Sequence, residues 1–278
     1  MLGSIWIQRA WLRRATVERT ISILSPLILL TVWQIGTAVV KPGVPASELA
    51  RPEAHLIDAR FFPAPTTIFL ALGDMLQSGE LWGHVLATLG RVAIGFAIGA
   101  GLGVVLGLAM GLWPLVRAAL QPLVDATFPI PKIAILPLYI MIFGIGEESK
   151  YAIIATAVVF LVLINTASGV RNIDQIYLDV GKNFHASRRM MFTDIAFPGA
   201  LPSILTGLKL GMGVALLVIV SAEFIAARSG TGYLIWSSWQ VFQVEKMYVG
   251  LIVIAVFGFA GAILLDWLER VLIPWKRH

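Results

Sequence analysis

Six stretches of this sequence stay apolar for about the length a helix needs to cross a bilayer: 21–40, 92–112, 120–143, 151–170, 201–226 and 248–268. A hydrocarbon core about 30 Å thick takes about 20 residues of α-helix. In that medium every backbone amide and carbonyl must find its partner within the protein. The expected fold is therefore all-α, a polytopic membrane helical bundle with six transmembrane helices. Composition agrees: 58% of residues are hydrophobic and 13% charged, against about 25% charged in a soluble domain. The first stretch follows Arg9, Arg13, Arg14 and Arg19, as the core of a signal peptide would, but it exceeds the about 7–15 residues of such a core. It reads as an uncleaved first span.

The expected order along the chain is a cytoplasmic N-terminal segment 1–20, the first transmembrane helix 21–40, an extracytoplasmic loop 41–90 with a surface helix over 66–89, and a core transmembrane domain 91–278. Lys and Arg between the spans set the orientation. With the N-terminus in the cytoplasm, twelve of them fall on the cytoplasmic side and six on the other, the six being Lys41, Arg51, Arg60, Lys150, Arg228 and Lys246. Both termini are expected in the cytoplasm, which an even number of spans requires. The third stretch is interrupted by Pro122, Pro129, Pro131 and Pro137. Proline removes a backbone donor, so this span is either a bent packing helix or one that lines a water-filled path.

Several classes of function are excluded. Cysteine is absent, which removes disulfides, thiolate metal sites and thiol nucleophiles. His55, His84 and His278 lack metal-ligand spacing. The net charge of +5 is spread over span ends, unlike the clustered basic face that nucleic acid requires. No HExxH, GxSxG or Walker A sequence is present: Gly181-Lys182 runs into Asn183. The chain is not expected to be an enzyme, and neither cofactor nor metal is expected on it.

The second stretch carries Gly95, Gly99, Gly103, Gly107 and Gly111. Residues four apart share a helix face, and small residues let membrane helices approach closely. A partner helix is expected along this ridge, and a weaker version recurs at Gly207 and Gly211. Candidates for a substrate path are Met141 in the broken third stretch, and Glu223 and Lys209 in the fifth. Ionisable groups inside a membrane are functional candidates by default. Two structural alternatives stay open: Glu223 satisfied by water or by a partner such as Arg228, and Lys209 snorkelling to the interface.

Residues 171–198 form a connection far longer than two spans need. Ile176, Val180 and Phe184 recur at i, i+4, i+8, and Met190, Met191, Ile195 and Phe197 follow a turn near His185–Ser187. Two short amphipathic helices are expected, with Ser187 capping the second and Pro198 marking the start of the fifth span. Such a hairpin either lies on the membrane surface or docks a cytoplasmic partner.

The hairpin resembles the Glu-Ala-Ala loop of ATP-binding-cassette (ABC) importer permeases, whose pattern is Glu-Ala-Ala, three residues, Gly, nine residues, Ile-x-Leu-Pro. Asp179-Val180-Gly181, His185 and Ile195-Ala196-Phe197-Pro198 keep that spacing, with Asp in place of Glu and His in place of Gly. Phe62-Pro63-Ala64-Pro65, Phe143-Gly144-Ile145-Gly146-Glu147, Leu201-Pro202-Ser203 and Ala222-Glu223-Phe224 look like the nitrate/sulfonate/taurine/bicarbonate branch. The resemblance implies a type I ABC importer permease fold and a small anionic substrate, with sulfonate or taurine favoured and nitrate or bicarbonate as alternatives. It further implies three partners: a second copy of the chain, a cytoplasmic ATP-binding subunit dimer that binds ATP and Mg²⁺, and a periplasmic or lipid-anchored substrate-binding protein. Asp179, Val180, Gly181, His185, Ala186, Ser187 and Arg188 would couple the chain to the ATPase. The alternative is a secondary active transporter. Internal repeats would support it, but the broken third span has no counterpart elsewhere in the sequence.

Overall fold

A computed structural model describes residues 20–275 apart from 23, 42–43 and 49–50. The basic N-terminal segment, with Arg9, Arg13, Arg14 and Arg19, lies outside the described residues, as do Lys276, Arg277 and His278. The described chain is helical and contains no strand, only an isolated bridge between Val40 and His55. It divides into two compact units, one of Met1–Ser78 with Ser238–Val249, the other of Gly79–Ser237 with Gly250–His278.

The first unit holds α1 (Thr20–Ala38) and α2 (Pro65–Gln77), joined by loop and short 3₁₀ turns. Gly36 admits the Ile57 side chain against the α1 backbone, and the Gly36 carbonyl accepts the Ile57 amide at 2.9 Å. Gln34 accepts the Thr66 amide at 3.2 Å. Tyr248 lies against Trp33, with centroids 5.6 Å apart, and its hydroxyl donates to the Phe61 carbonyl at 3.2 Å.

The second unit is built around α6 (Glu147–Arg171), which packs along α3 (Glu80–Leu112) on one side and α9 (Phe197–Ala226) on another. The contact with α3 is a row of matched positions. A Cβ built on Gly95, Gly99, Gly103, Gly107 or Gly111 would lie 2.5–2.7 Å from α6. The α6 residues met are Ile154, Val158, Val162, Thr166 and Val170 in turn. These are themselves four apart and all buried. Each glycine meets the residue 59 positions later, so the two helices run parallel and in register over sixteen residues, about 24 Å of helix. On the other side, Gly207 and Gly211 of α9 receive Val162, Asn165 and Val158, and Gly169 of α6 receives Ser203.

Parallel packing of α3 and α6 settles the path between them. The chain leaves α3 at one end of the bundle and must begin α6 at the other. Two pieces make that return: α4 (Pro114–Thr127), then a 3₁₀ turn Lys132–Ile135 leading into α5 (Leu136–Phe143), bent by 91°. Pro129 and Pro131 occupy the break. This is the expected third span, broken rather than re-entrant, and it completes six spans with α1, α3, α6, α9 and α11 (Val244–Leu272).

Three boundaries differ from expectation. α3 begins at Glu80, not near residue 92, because only Gly79, with φ of 80°, breaks the helix after α2. A tenth helix, α10 (Thr231–Gln240), precedes α11. Pro198 does not end the hairpin's second arm. α8 (Arg188–Met190), a π-helical stretch Met191–Ala196 and α9 form one continuous helix of 39 residues, Arg188–Ala226. The amide of Phe197 reaches back five residues to the Phe192 carbonyl. This wider turn sits just where Pro198 lacks a donor.

Candidate functional site

Two constellations stand out in the second unit, at opposite ends of α9. The first is a buried ion network. Glu223, fully buried near the C-terminus of α9, accepts Arg91 Nη1 at 2.8 Å, Thr88 Oγ1 at 2.8 and 3.0 Å, and the Gly232 amide at 2.7 Å. Arg91, on α3 and 3% exposed, donates Nε and Nη2 to the Glu147 carboxylate of α6 at 2.5 and 2.7 Å. Its remaining donors go to the Ser229 carbonyl at 2.6 Å and the Ser229 hydroxyl at 3.2 Å. A guanidinium has five N–H groups, and all five are engaged. The bidentate pairing with Glu147 fixes orientation as well as charge. Gly230, with φ of 117°, carries the turn over this network, and a side chain there would collide with Glu223 and Arg91. His84 Nδ1 sits 3.1 Å from the Gly230 carbonyl.

The network thus ties α3, α6, α9 and the start of α10 together. Glu223 was the one member expected to be special, and its partner is Arg91, not Arg228. Arg91 escapes notice in the sequence because a span starting at residue 92 places it at an interface. The α3 start at Glu80 puts it three turns inside the helix. Lys209 does not join this site. It stands fourteen residues earlier on α9, about 21 Å away along the helix, in ion pairs with Asp266 at 2.5 Å and Glu269 at 2.6 Å of α11. Met141 lies on α5 with 83% of its surface exposed.

The second constellation is the hairpin. α7 (Gln175–Asn183) is capped by Asp174, whose carboxylate accepts the Ile176 amide at 3.0 Å. Ser187 caps the second arm by accepting the Met190 amide at 3.2 Å. Between them His185 adopts φ of 52°, a left-handed conformation that histidine enters more readily than most residues. Gly181 is buried where the arms meet, and a side chain there would run into Met191 and Ile195. Asp179 is exposed and pairs with Lys182 at 3.2 Å. Arg188 and His185 are exposed and Ala186 half-buried. The outer face of α7 presents Ile176, Tyr177 and Val180, and Phe184 beyond it is 82% exposed.

Residues 99–278 match the family described as binding-protein-dependent transport system inner membrane component. The chain is 33% identical over 254 residues to SsuC of Bacillus subtilis, a permease protein named for aliphatic-sulfonate transport, covering 91% of this chain and 87% of that one. It is 33% identical to the taurine transport system permease protein TauC of Escherichia coli, over 92% and 90% of the two chains. It is 34% identical to the riboflavin transport system permease protein RibX of Chloroflexus aurantiacus, over 90% and 88%. The fold matches an inward-facing MetNI methionine ABC transporter with a TM-score of 0.59 at 14% identity, covering 71% of this chain and 96% of that chain. With its six spans, capped hairpin and matched residues, the chain belongs to the binding-protein-dependent transport system inner membrane components and is a multi-pass permease subunit of an ABC importer, not an enzyme.

Proposed function

We propose that this permease moves an aliphatic sulfonate such as taurine across a bacterial inner membrane as a homodimer, driven by a separate pair of ATP-binding subunits and fed by a substrate-binding protein. One observation carries the coupling: the second arm of the hairpin and the span α9 are a single 39-residue helix. A push on the hairpin is then delivered as rotation or tilt of a membrane-crossing rod, which is how a local event can bias a two-state bundle. The exposed apolar residues Ile176, Tyr177, Val180 and Phe184 give an ATPase groove something to grip. Asp179, Gly181 and the turn His185–Arg188 set the position of that grip. ATP and Mg²⁺ belong to the partner, and both termini of the permease face the cytoplasm with the hairpin. Glu223 and Lys209, held in ion pairs, brace the bundle, while Met141 faces the path. The sulfonate assignment draws on the two relatives named for sulfonate and taurine transport.

ATPase activity of the co-purified complex in lipid tests the coupling. With Asp179→Lys combined with His185→Glu, we expect the ATP-binding subunit to be lost from the complex, or its stimulation by loaded binding protein to vanish. Unchanged assembly and stimulation would remove the hairpin from this role. Uptake of radiolabelled taurine against riboflavin in the same vesicles decides the substrate.

A further inference from the structure

Beside the ion network lies a cavity of about 540 Å³ bordered by Arg91, Glu147, Lys150, Arg228 and Ser229, among others. That volume falls within the range of small-molecule sites, about 300–1,000 Å³. Its charges do not cancel. Arg91, Lys150 and Arg228 carry three positive charges, and Glu147 with Glu223 behind Arg91 carries two negative, leaving one positive charge (3 − 2 = +1). Among the buried groups, Lys150 is the least completely paired, sharing Glu147 with Arg91. Its side chain is 2% exposed, yet its ammonium bonds only to backbone carbonyls, Gly146 at 2.9 Å and Ile145 at 3.4 Å. The nearest carboxylate, Glu147, stands at 3.8 Å, outside hydrogen-bonding distance, and is committed to Arg91. A buried charge needs a partner, and an ammonium has three donors. Arg91 has none to spare. Arg228 is exposed at the rim, and the Ser229 hydroxyl can donate into the same space.

We propose that this cavity is a binding station for a small oxyanion of single charge, a sulfonate head group being the fitting example, held between the Lys150 ammonium and the Arg228 guanidinium. A monoanion brings the set to neutrality. A cation meets a net positive wall, and a dianion over-neutralises it. The inference rests on the anion reading above, and its test separates the two. The full chain in phosphatidylcholine nanodiscs at low ionic strength is titrated calorimetrically with ethanesulfonate. We expect saturable binding, weakened by about tenfold or more in Arg228→Glu and in Lys150→Met. Arg228 is exposed, so its variant carries the test if Lys150→Met does not fold. No saturable binding to the wild-type chain, or wild-type affinity retained in both variants, overturns the proposal. If phosphatidylglycerol in the nanodisc competes with ethanesulfonate, the station stands and a lipid head group is its second source of oxyanion. Taurine uptake by the assembled transporter is measured in parallel. Uptake without binding at the cavity sinks the station alone, and binding without uptake sinks the substrate reading alone.

Discussion

Arg91 is the residue on which one end of the second unit turns. Removing one member of a buried ion pair leaves the other charged and unpartnered, at a cost of about 3–5 kcal/mol. Arg91→Gln and Glu223→Gln are therefore expected to lower the melting temperature of the purified chain sharply, because both side chains are nearly or fully buried. Glu147 is 46% exposed, and water can take its place. Glu147→Gln is expected to cost only about 1 kcal/mol. Equal losses for the three variants would mean that the network is not the buried clamp described above. His185 makes a second prediction. At φ of 52° glycine is free of strain and a β-branched residue is not. His185→Gly should keep coupled ATP hydrolysis and raise thermal stability slightly, while His185→Val should lower it by about 1–2 kcal/mol. Loss of coupling in His185→Gly with the helices intact would show that the imidazole itself touches the ATPase.

The helices repay a reading by period. The glycine ridge of α3 was legible because spacing by four names a helix face without any knowledge of the partner. The partner was not legible, since the matching row on α6, from Ile154 to Val170, reads as ordinary apolar span. Hairpin length, the two arms and the Ser187 cap could also be read from sequence, being local chemistry. The π-helical stretch Met191–Ala196 could not, because a helix continuing through a proline depends on packing that no local rule encodes. α10 was missed for the same reason: it is held by Gly232 and Thr231 against Glu223 and Thr88, contacts about 9 and 143 residues apart in sequence. The ridge gives the third prediction. A Cβ at Gly103 would lie 2.7 Å from Val162 and 2.9 Å from the Val159 carbonyl, whereas one at Gly101 meets nothing within 4 Å. Gly103→Ala should destabilise by about 1–3 kcal/mol or prevent folding, and Gly101→Ala should do neither. Thermal denaturation monitored by size-exclusion chromatography distinguishes them.

For the whole molecule, six spans, a broken helix pair among the described residues and a hairpin continuous with α9 fit a machine driven from outside its own chain. Its energy source can be tested directly. Collapsing the proton gradient in vesicles while internal ATP is held constant should leave taurine uptake unchanged, and depleting ATP at constant gradient should abolish it. The opposite pattern would return the chain to the secondary transporters. The fold class was readable from hydropathy alone, because lipid permits so few solutions. The ion network was not, since its four charged members, Arg91, Glu147, Lys150 and Glu223, sit on three helices whose neighbours only the tertiary structure supplies.

The constant offset of 59 between α3 and α6 has a consequence for inheritance. The two rows mesh like a rack and pinion cut to one pitch, and they can re-engage only after a slip of four residues, about 6 Å. A change of side-chain size on one row must be answered on the other. Chimaeras between related permeases should therefore tolerate exchange of α3 and α6 as a pair and reject exchange of either alone, so that the two helices pass between lineages as one part.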